Sequence, residues 1–212
     1  MGTATSKRAI LGLAALALVA SGCGVTGRAP MSAGFSSATT PARTEIVPAA
    51  AASGGFAWLR PAPAPAAWLL ARIASGAAMA YPPGWHRVAG DAGTATVALQ
   101  DADDDFLGYL NVTPRQGDET LRGWPSFRVE HNVGEGDRDI RTLAAARGLR
   151  FRTGRGTCVR DAYATTTGAH FIELACLVAG PHATSVIVGA APPAQWARMS
   201  PVIERAISAF TT

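Results

Sequence analysis

Two cysteines set the tightest constraint on how this chain can fold. Cys158 and Cys176 are 18 residues apart and equidistant from Thr167, inside the turn-like run Thr165-Thr166-Thr167-Gly168. A three-residue hairpin loop of Thr166, Thr167 and Gly168, with the glycine in the left-handed position, pairs Thr165 with Ala169. Counting outward along both strands then sets Cys158 opposite Cys176 on the same sheet face. Directly opposed side chains bring Cβ atoms to about 4.5 Å, close to disulfide range. The spacing therefore predicts a bridged antiparallel hairpin. The alternative is a pair of buried free thiols.

A disulfide needs an oxidising compartment, and the N-terminus points to one. Residues 1–22 read as an export signal. Lys7 and Arg8 form the positive region, and Ala9 to Ala20 the apolar one, too short for a permanent membrane span. The run ends Leu18-Val19-Ala20-Ser21-Gly22-Cys23, which resembles the lipobox of bacterial lipoproteins. That resemblance implies diacylglyceryl transfer to Cys23 and cleavage before it. Cys23 would become a lipidated N-terminus at the extracytoplasmic face of the cell membrane. Two or more acyl chains on one residue suffice for stable anchoring. An ordinary secretory signal that leaves Cys23 a free thiol is the alternative.

Residues 23–67 are Ala, Ser, Thr, Gly and Pro with few large side chains, a composition that cannot offset ordering entropy. The expectation is a flexible tether, stiffened towards polyproline II by Pro61-Ala-Pro-Ala-Pro65, reaching on the order of 40 Å. Phe56, Trp58 and Leu59 interrupt it, and docking on the folded domain is their simplest role.

The globular domain is expected over residues 68–212. Short strands are read at Leu69–Ile73 and Ala78–Tyr81, then Thr94–Gln100 and Phe106–Val112 around the acidic loop Asp101–Asp105. The alternate aspartates of that loop suggest a calcium site, but Phe106 and Val112 replace the glycine and closing glutamate such a loop needs. A solvated hairpin tip is the reading adopted. Helices are expected at Asp118–Arg128 and Asp137–Arg147, the second stopped by Gly148. Three strand-like runs follow: Leu149–Thr153 continuing through Cys158–Tyr163, Phe171–Val178 and Ser185–Ala190. A C-terminal helix in two parts about Pro201 packs Trp196, Met199, Ile203, Ile207 and Phe210 on a sheet. This pattern is an α+β domain, an antiparallel β-sheet flanked by helices. The segment Tyr81-Pro-Pro-Gly-Trp85, the antiparallel strands and the terminal Ala206-Ile207-Ser208-Ala209-Phe210 resemble the PsbP-like α/β/α sandwich, which recurs in lipoproteins of GC-rich bacteria such as the LpqN-like group. The resemblance implies a non-enzymatic domain that binds protein partners.

The sequence carries no recognisable catalytic or cofactor motif. His86, His131, His170 and His182 lack metal-motif spacing, and no nucleophile elbow or phosphate loop is present. Asp161 and Glu173 can face each other across the hairpin as paired carboxylates, although two solvated acids are the simpler reading. Arg147, Arg150, Arg152, Arg155 and Arg160 form the one charge cluster. Period-two alternation puts Arg150 and Arg152 on one face, away from Leu149 and Phe151. Such a face suits an acidic envelope protein or an anionic polymer. Excluding Lys7 and Arg8, 17 basic residues stand against 15 acidic ones. That surplus, with little aromatic interleaving on the Arg side, argues against a nucleic-acid platform. Three functions remain: a lipid-anchored binding domain without catalysis, an envelope carrier or sensor for a small apolar ligand, and an unrecognised hydrolase. A continuous apolar cavity would favour the second, and convergent polar groups in a cleft the third.

Overall fold

The computed structural model describes residues 53–212. Its centre is a seven-stranded antiparallel sheet of order β3-β4-β5-β9-β8-β7-β6. The strands are β3 (His86–Val88), β4 (Ala95–Gln100), β5 (Phe106–Pro114), β6 (Arg138–Arg150), β7 (Arg155–Ala164), β8 (His170–Ala179) and β9 (Thr184–Ala191). One face is covered by helix α2 (Pro193–Ala209) and by a two-stranded ribbon of β1 (Leu69–Arg72) and β2 (Ala78–Tyr81). The other face carries helix α1 (Trp124–Gly134). The fold is the α+β sandwich expected from the strand and helix pattern.

The β7–β8 hairpin has the register its cysteines require. Cys158 pairs with Cys176 and the two are disulfide-bonded, with both residues fully buried. The turn closes with Thr165 N–H donating to the Ala169 carbonyl at 2.8 Å, and Gly168 sits at φ +85°. The bridge lies in the larger core beside Leu174, Ile187 and the α2 residues Ile203 and Ile207. The apolar stripe of α2 is the expected one: Met199, Ile203, Ile207 and Phe210 are buried. The helix is continuous, however. Pro201 lies inside it on the exposed side, so one i→i−4 hydrogen bond is missing but the helix does not restart.

Two helix expectations are corrected. Residues 138–150, expected as part of a helix over Asp137–Arg147, form the long edge strand β6. Three register shifts interrupt its pairing with β7, between Arg138 and Arg141, Thr142 and Ala144, and Ala146 and Leu149. Each bulge adds a residue, so apolar positions recur at three rather than two and imitate a helical face. Gly148, read as a helix stop, is left-handed at the third bulge with φ +68°. The helix expected over Asp118–Arg128 begins instead at Trp124, with Pro125 in its first turn rather than kinking its middle.

Packed structure also starts earlier than Trp68. Phe56 is buried, and Trp58 and Leu59 pack on the main core. The Pro-Ala run lies along α2: Ala62 N–H donates to the Ser208 carbonyl at 3.1 Å and the Arg205 guanidinium to the Pro63 carbonyl at 3.0 Å. The expected signal segment 1–22 and the tether up to residue 52 lie outside the described residues.

The bridge closes an 18-residue separation, for which the chain-entropy model gives about 3 kcal/mol. Thermal melts with and without reductant should therefore differ by about 10 °C. Native protein should resist alkylation at Cys158 and Cys176 until reduced, and ready labelling without reductant would contradict the bridge.

Candidate functional site

Chemistry concentrates beneath α1. From Phe171 to Ala179 strand β8 is apolar on both faces except at Glu173, whose side chain is wholly buried. Opposite it across the hairpin stands Asp161, also wholly buried. The two acids thus meet as the spacing allowed, but α1 covers them and the solvated reading is corrected. Arg128 supplies the cation: its Nε donates to Glu173 Oε1 at 2.6 Å and its Nη2 to Oε2 at 2.8 Å. The Tyr163 hydroxyl donates to Oε2 at 3.2 Å and lies 3.4 Å from the Tyr109 hydroxyl. One guanidinium and one phenol therefore satisfy the carboxylate, and the second phenol, Tyr109, adjoins the first. Burial, and then the neighbouring negative charges, push both phenols above their ordinary range, so they stay protonated donors. Burial disfavours charge on Arg128, yet the Glu173 carboxylate outweighs it and keeps the guanidinium firmly protonated.

Asp161 has no such partner. Neither of its oxygens makes a hydrogen bond, and burial, with Glu173 adding repulsion, pushes its carboxyl up to about 7. Thr142, its pair on β6, pulls the other way, by less than burial but by more than Glu173 repels, without a hydrogen bond of good geometry. Asp137, in the turn after α1, is pushed up to about 6, by burial first and then by Glu135 and Glu173. Glu135 is drawn down by the hydrogen bond from His131, one helical turn earlier at 3.0 Å. The Asn132 amide, buried on α1, is likewise unpartnered. Glu173, Asp161 and Asn132 are sealed, Glu135 and Asp137 stand at the rim, and one guanidinium serves a surplus of carboxyls.

Beside it, at the end of β6, β7 and β8, lies an open cleft of about 520 Å³ lined by Asp139, Ile140, Arg141, Tyr163, His170 and Phe171 among others. Asp139 is left-handed, at φ 56°, in the first β6 bulge. The bulge breaks the strand's alternation, and the consecutive residues Asp139, Ile140 and Arg141 all border one cleft.

The expected arginine face is rearranged. Arg150 ends β6, Phe151 to Gly154 form a tight turn, and Arg155 begins β7 directly opposite Arg150. Arg150 and Arg152 therefore do not share a strand face; Arg152 sits in the turn. Arg147, Arg150, Arg152 and Arg155 are all exposed. Arg160 leaves the group: it is half-buried on the α2 side, where its charge acts on Glu204. Arg122, unnoticed in the sequence, joins it, because its carbonyl accepts a hydrogen bond from Arg147 Nε at 3.0 Å. Cys23 lies outside the described residues. Among those residues, no three His, Cys, Asp or Glu side chains are placed to hold a metal ion. The acidic loop is a hairpin tip, with Asp101 Oδ1 accepting from the Asp103 and Asp105 N–H groups at 3.0 Å.

No family model and no curated protein matches the chain. Among solved structures it is similar to cyanobacterial PsbP (CyanoP) from Synechocystis sp. PCC 6803, at 15% identity and TM-score 0.50, covering 70% of this chain and 94% of that one. It also matches PA94, a Pseudomonas aeruginosa protein of unknown function, at 10% identity and TM-score 0.41, over 68% of this chain and 96% of that one. A Bacteroides thetaiotaomicron protein aligns at 13% identity and TM-score 0.38, over 64% of this chain and 44% of that one. The first likeness establishes a PsbP-like fold and extends no further.

Asp161 gives the cluster a pH signature. In the fold it keeps its proton to about 7, while an unfolded aspartate loses it near 4. Between these values the native state binds more protons, so stability falls as pH rises. Asp161→Asn removes that slope. The variant should match the parent at pH 4 and exceed it at pH 8, by about 4 kcal/mol at most. Denaturant melts across this range check it; parallel curves would contradict the assignment.

Proposed function

We propose that the protein is a lipid-anchored extracytoplasmic binding domain with no catalytic role. The anchor rests on Leu18-Val19-Ala20-Ser21-Gly22-Cys23 and the positive, then apolar, run before it. The observation that carries the non-catalytic reading is the state of the Glu173 cluster. A general acid or base must reach a substrate proton directly or through one water. Here Glu173 is wholly enclosed and committed to Arg128 and Tyr163, and Asp161 is enclosed beside it. The pair reads as an internal fastening of α1 to the sheet. Binding then falls to the surface, where the exposed arginines suit an anionic partner. The 520 Å³ cleft favours a second reading, a carrier or sensor for a small ligand. Its mixed charged and apolar wall and its open side fit an apolar cargo less well than an enclosed lumen would.

Metabolic labelling with a fatty-acid analogue should mark the protein in intact cells, and Cys23→Ala should abolish the mark. Undiminished labelling of that variant, or none in the parent, would sink the anchored reading. Crosslinking from the same cells should then recover an envelope partner.

A further inference from the structure

We propose that the sheet end carrying Arg122, Arg147, Arg150, Arg152 and Arg155 is a contact surface for an anionic lipid bilayer. The proposal deepens the lipid-anchored reading and rests on it, since the membrane in question is the one that Cys23 would hold.

The arrangement is built rather than scattered. Arg150 and Arg155 are directly opposed across the β6–β7 hairpin, where like charges destabilise a cross-strand pair. Arg152 stands between them in a turn whose Phe151 is buried, so the turn is anchored and presents its cation outward. Arg147 is fastened to the Arg122 carbonyl, which brings the loop before α1 onto the same surface. Among the described residues, the ion pairs join Arg128 to Glu173 and His131 to Glu135, and none engages these five guanidinium groups. Glu119, in the loop that leads to Arg122, turns inward and accepts from the Gln116 and Gly117 N–H groups. The cations are thus left for an external anion, and a planar guanidinium suits phosphate oxygens.

The place where the chain joins the domain selects the bilayer over other polyanions. The 3-10 turn Ser53–Phe56 packs on β6, so closely that a Cβ on Gly55 would lie 2.8 Å from that of Ala144. Arg147 is three residues further along the same strand, about 10 Å away. Because Phe56 to Pro65 lie on the domain, only residues 24–52 separate Cys23 from it. A basic patch beside such an anchor meets its own membrane at a high effective concentration. One acyl anchor and one basic patch are the two signals that together give firm, salt-sensitive attachment. With Phe151 buried, no apolar side chain of the turn is offered for insertion, so the contact is electrostatic.

The test uses the full chain carrying Cys23→Ala, so that acylation contributes nothing. Co-sedimentation is measured with phosphatidylcholine vesicles and with vesicles containing about one third phosphatidylglycerol. The parent should bind the anionic vesicles preferentially, and raised salt should release it. Arg150→Glu with Arg155→Glu should weaken that binding by about tenfold or more. Any insertion by the apolar run Ala9–Ala20, with Lys7 and Arg8 beside it, is common to parent and variant, so the difference between the two reports the arginine end alone. Arg150→Gln with Arg155→Gln serves as the milder variant should the charge reversal unfold the hairpin, which its melt will show. Equal binding to both vesicle types, or binding unchanged in a folded variant, overturns the proposal. So does retention on an anionic polymer or acidic polypeptide without vesicle binding, which would point to that partner instead. Absence of acyl label on Cys23 would refute the anchor alone, since the vesicle result does not depend on it.

Discussion

The buried carboxylate of Glu173 is the demand that the upper layer of this fold answers. A charge in the middle of a sheet, enclosed on both faces, is untenable without a cation and further hydrogen bonds. Helix α1 brings both requirements into one alignment. Trp124 Nε1 donates to the Ala175 carbonyl at 3.0 Å, and Arg128 grips Glu173. Four residues along a helix rise about 6 Å, and two along a strand rise about 6.6 Å. The two fastenings are therefore commensurate, and α1 is laid antiparallel to β8. A buried ion pair adds little net stability, but losing either partner costs about 3–5 kcal/mol. Its consequence is specificity: the helix has one axial position and one rotation in which Glu173 is satisfied.

That answer also shows where a single sequence is readable. The cysteines and Gly168 specify the β7–β8 register because a covalent bridge and a left-handed turn leave no freedom to slip. The α2 stripe is equally plain, since its large side chains keep the helical period. β6 is opaque because three bulges shift its apolar positions to a helix-like spacing, and Gly148 then mimics a helix stop. A bulge is set by the partner strand, which the local sequence does not contain. The Glu173 cluster lies between these cases. Leu174, Cys176 and Val178 on one face, with Phe171, Ala175 and Leu177 on the other, mark β8 as enclosed on both sides. A lone acid in such a strand announces a buried partner. What no local reading supplies is which cation answers it, since Arg128 is 45 residues away.

The Pro-Ala run illustrates a different limit. Composition correctly describes a segment unable to form a core of its own, yet that is no bar to lying on another. An extended chain of this kind makes no internal hydrogen bonds, so its N–H and C=O groups are free for a neighbour. The last turn of a helix has carbonyls without donors. Ala62 meets the Ser208 carbonyl and Pro63 receives Arg205, while Phe56 contributes the apolar area that holds the segment down. Polar groups along the run, with Phe56, Trp58 and Leu59 packed before it, turn an expected spacer into a strap over α2.

Net charge conceals how the ionisable groups are distributed along the sheet. Tyr109 pairs with Ala190, which pairs with Glu173, so the β4–β5 tip with Asp101, Asp103, Asp104 and Asp105 lies towards the same end as the acid cluster. Asp137 and Glu135 belong to that end as well, where Arg138 and Arg141 offset them in part. Arg150 and Arg155 close the other end, opposite Ala179. β6 joins the two ends over 13 residues, about 40 Å. A small overall surplus arranged in this way acts less as a monopole than as a dipole along the strands. A dipole turns in the field of a charged surface before it touches that surface. For a domain held close to a bilayer, orientation would follow from this separation of charge, with the acidic end and its cleft directed away from the lipid.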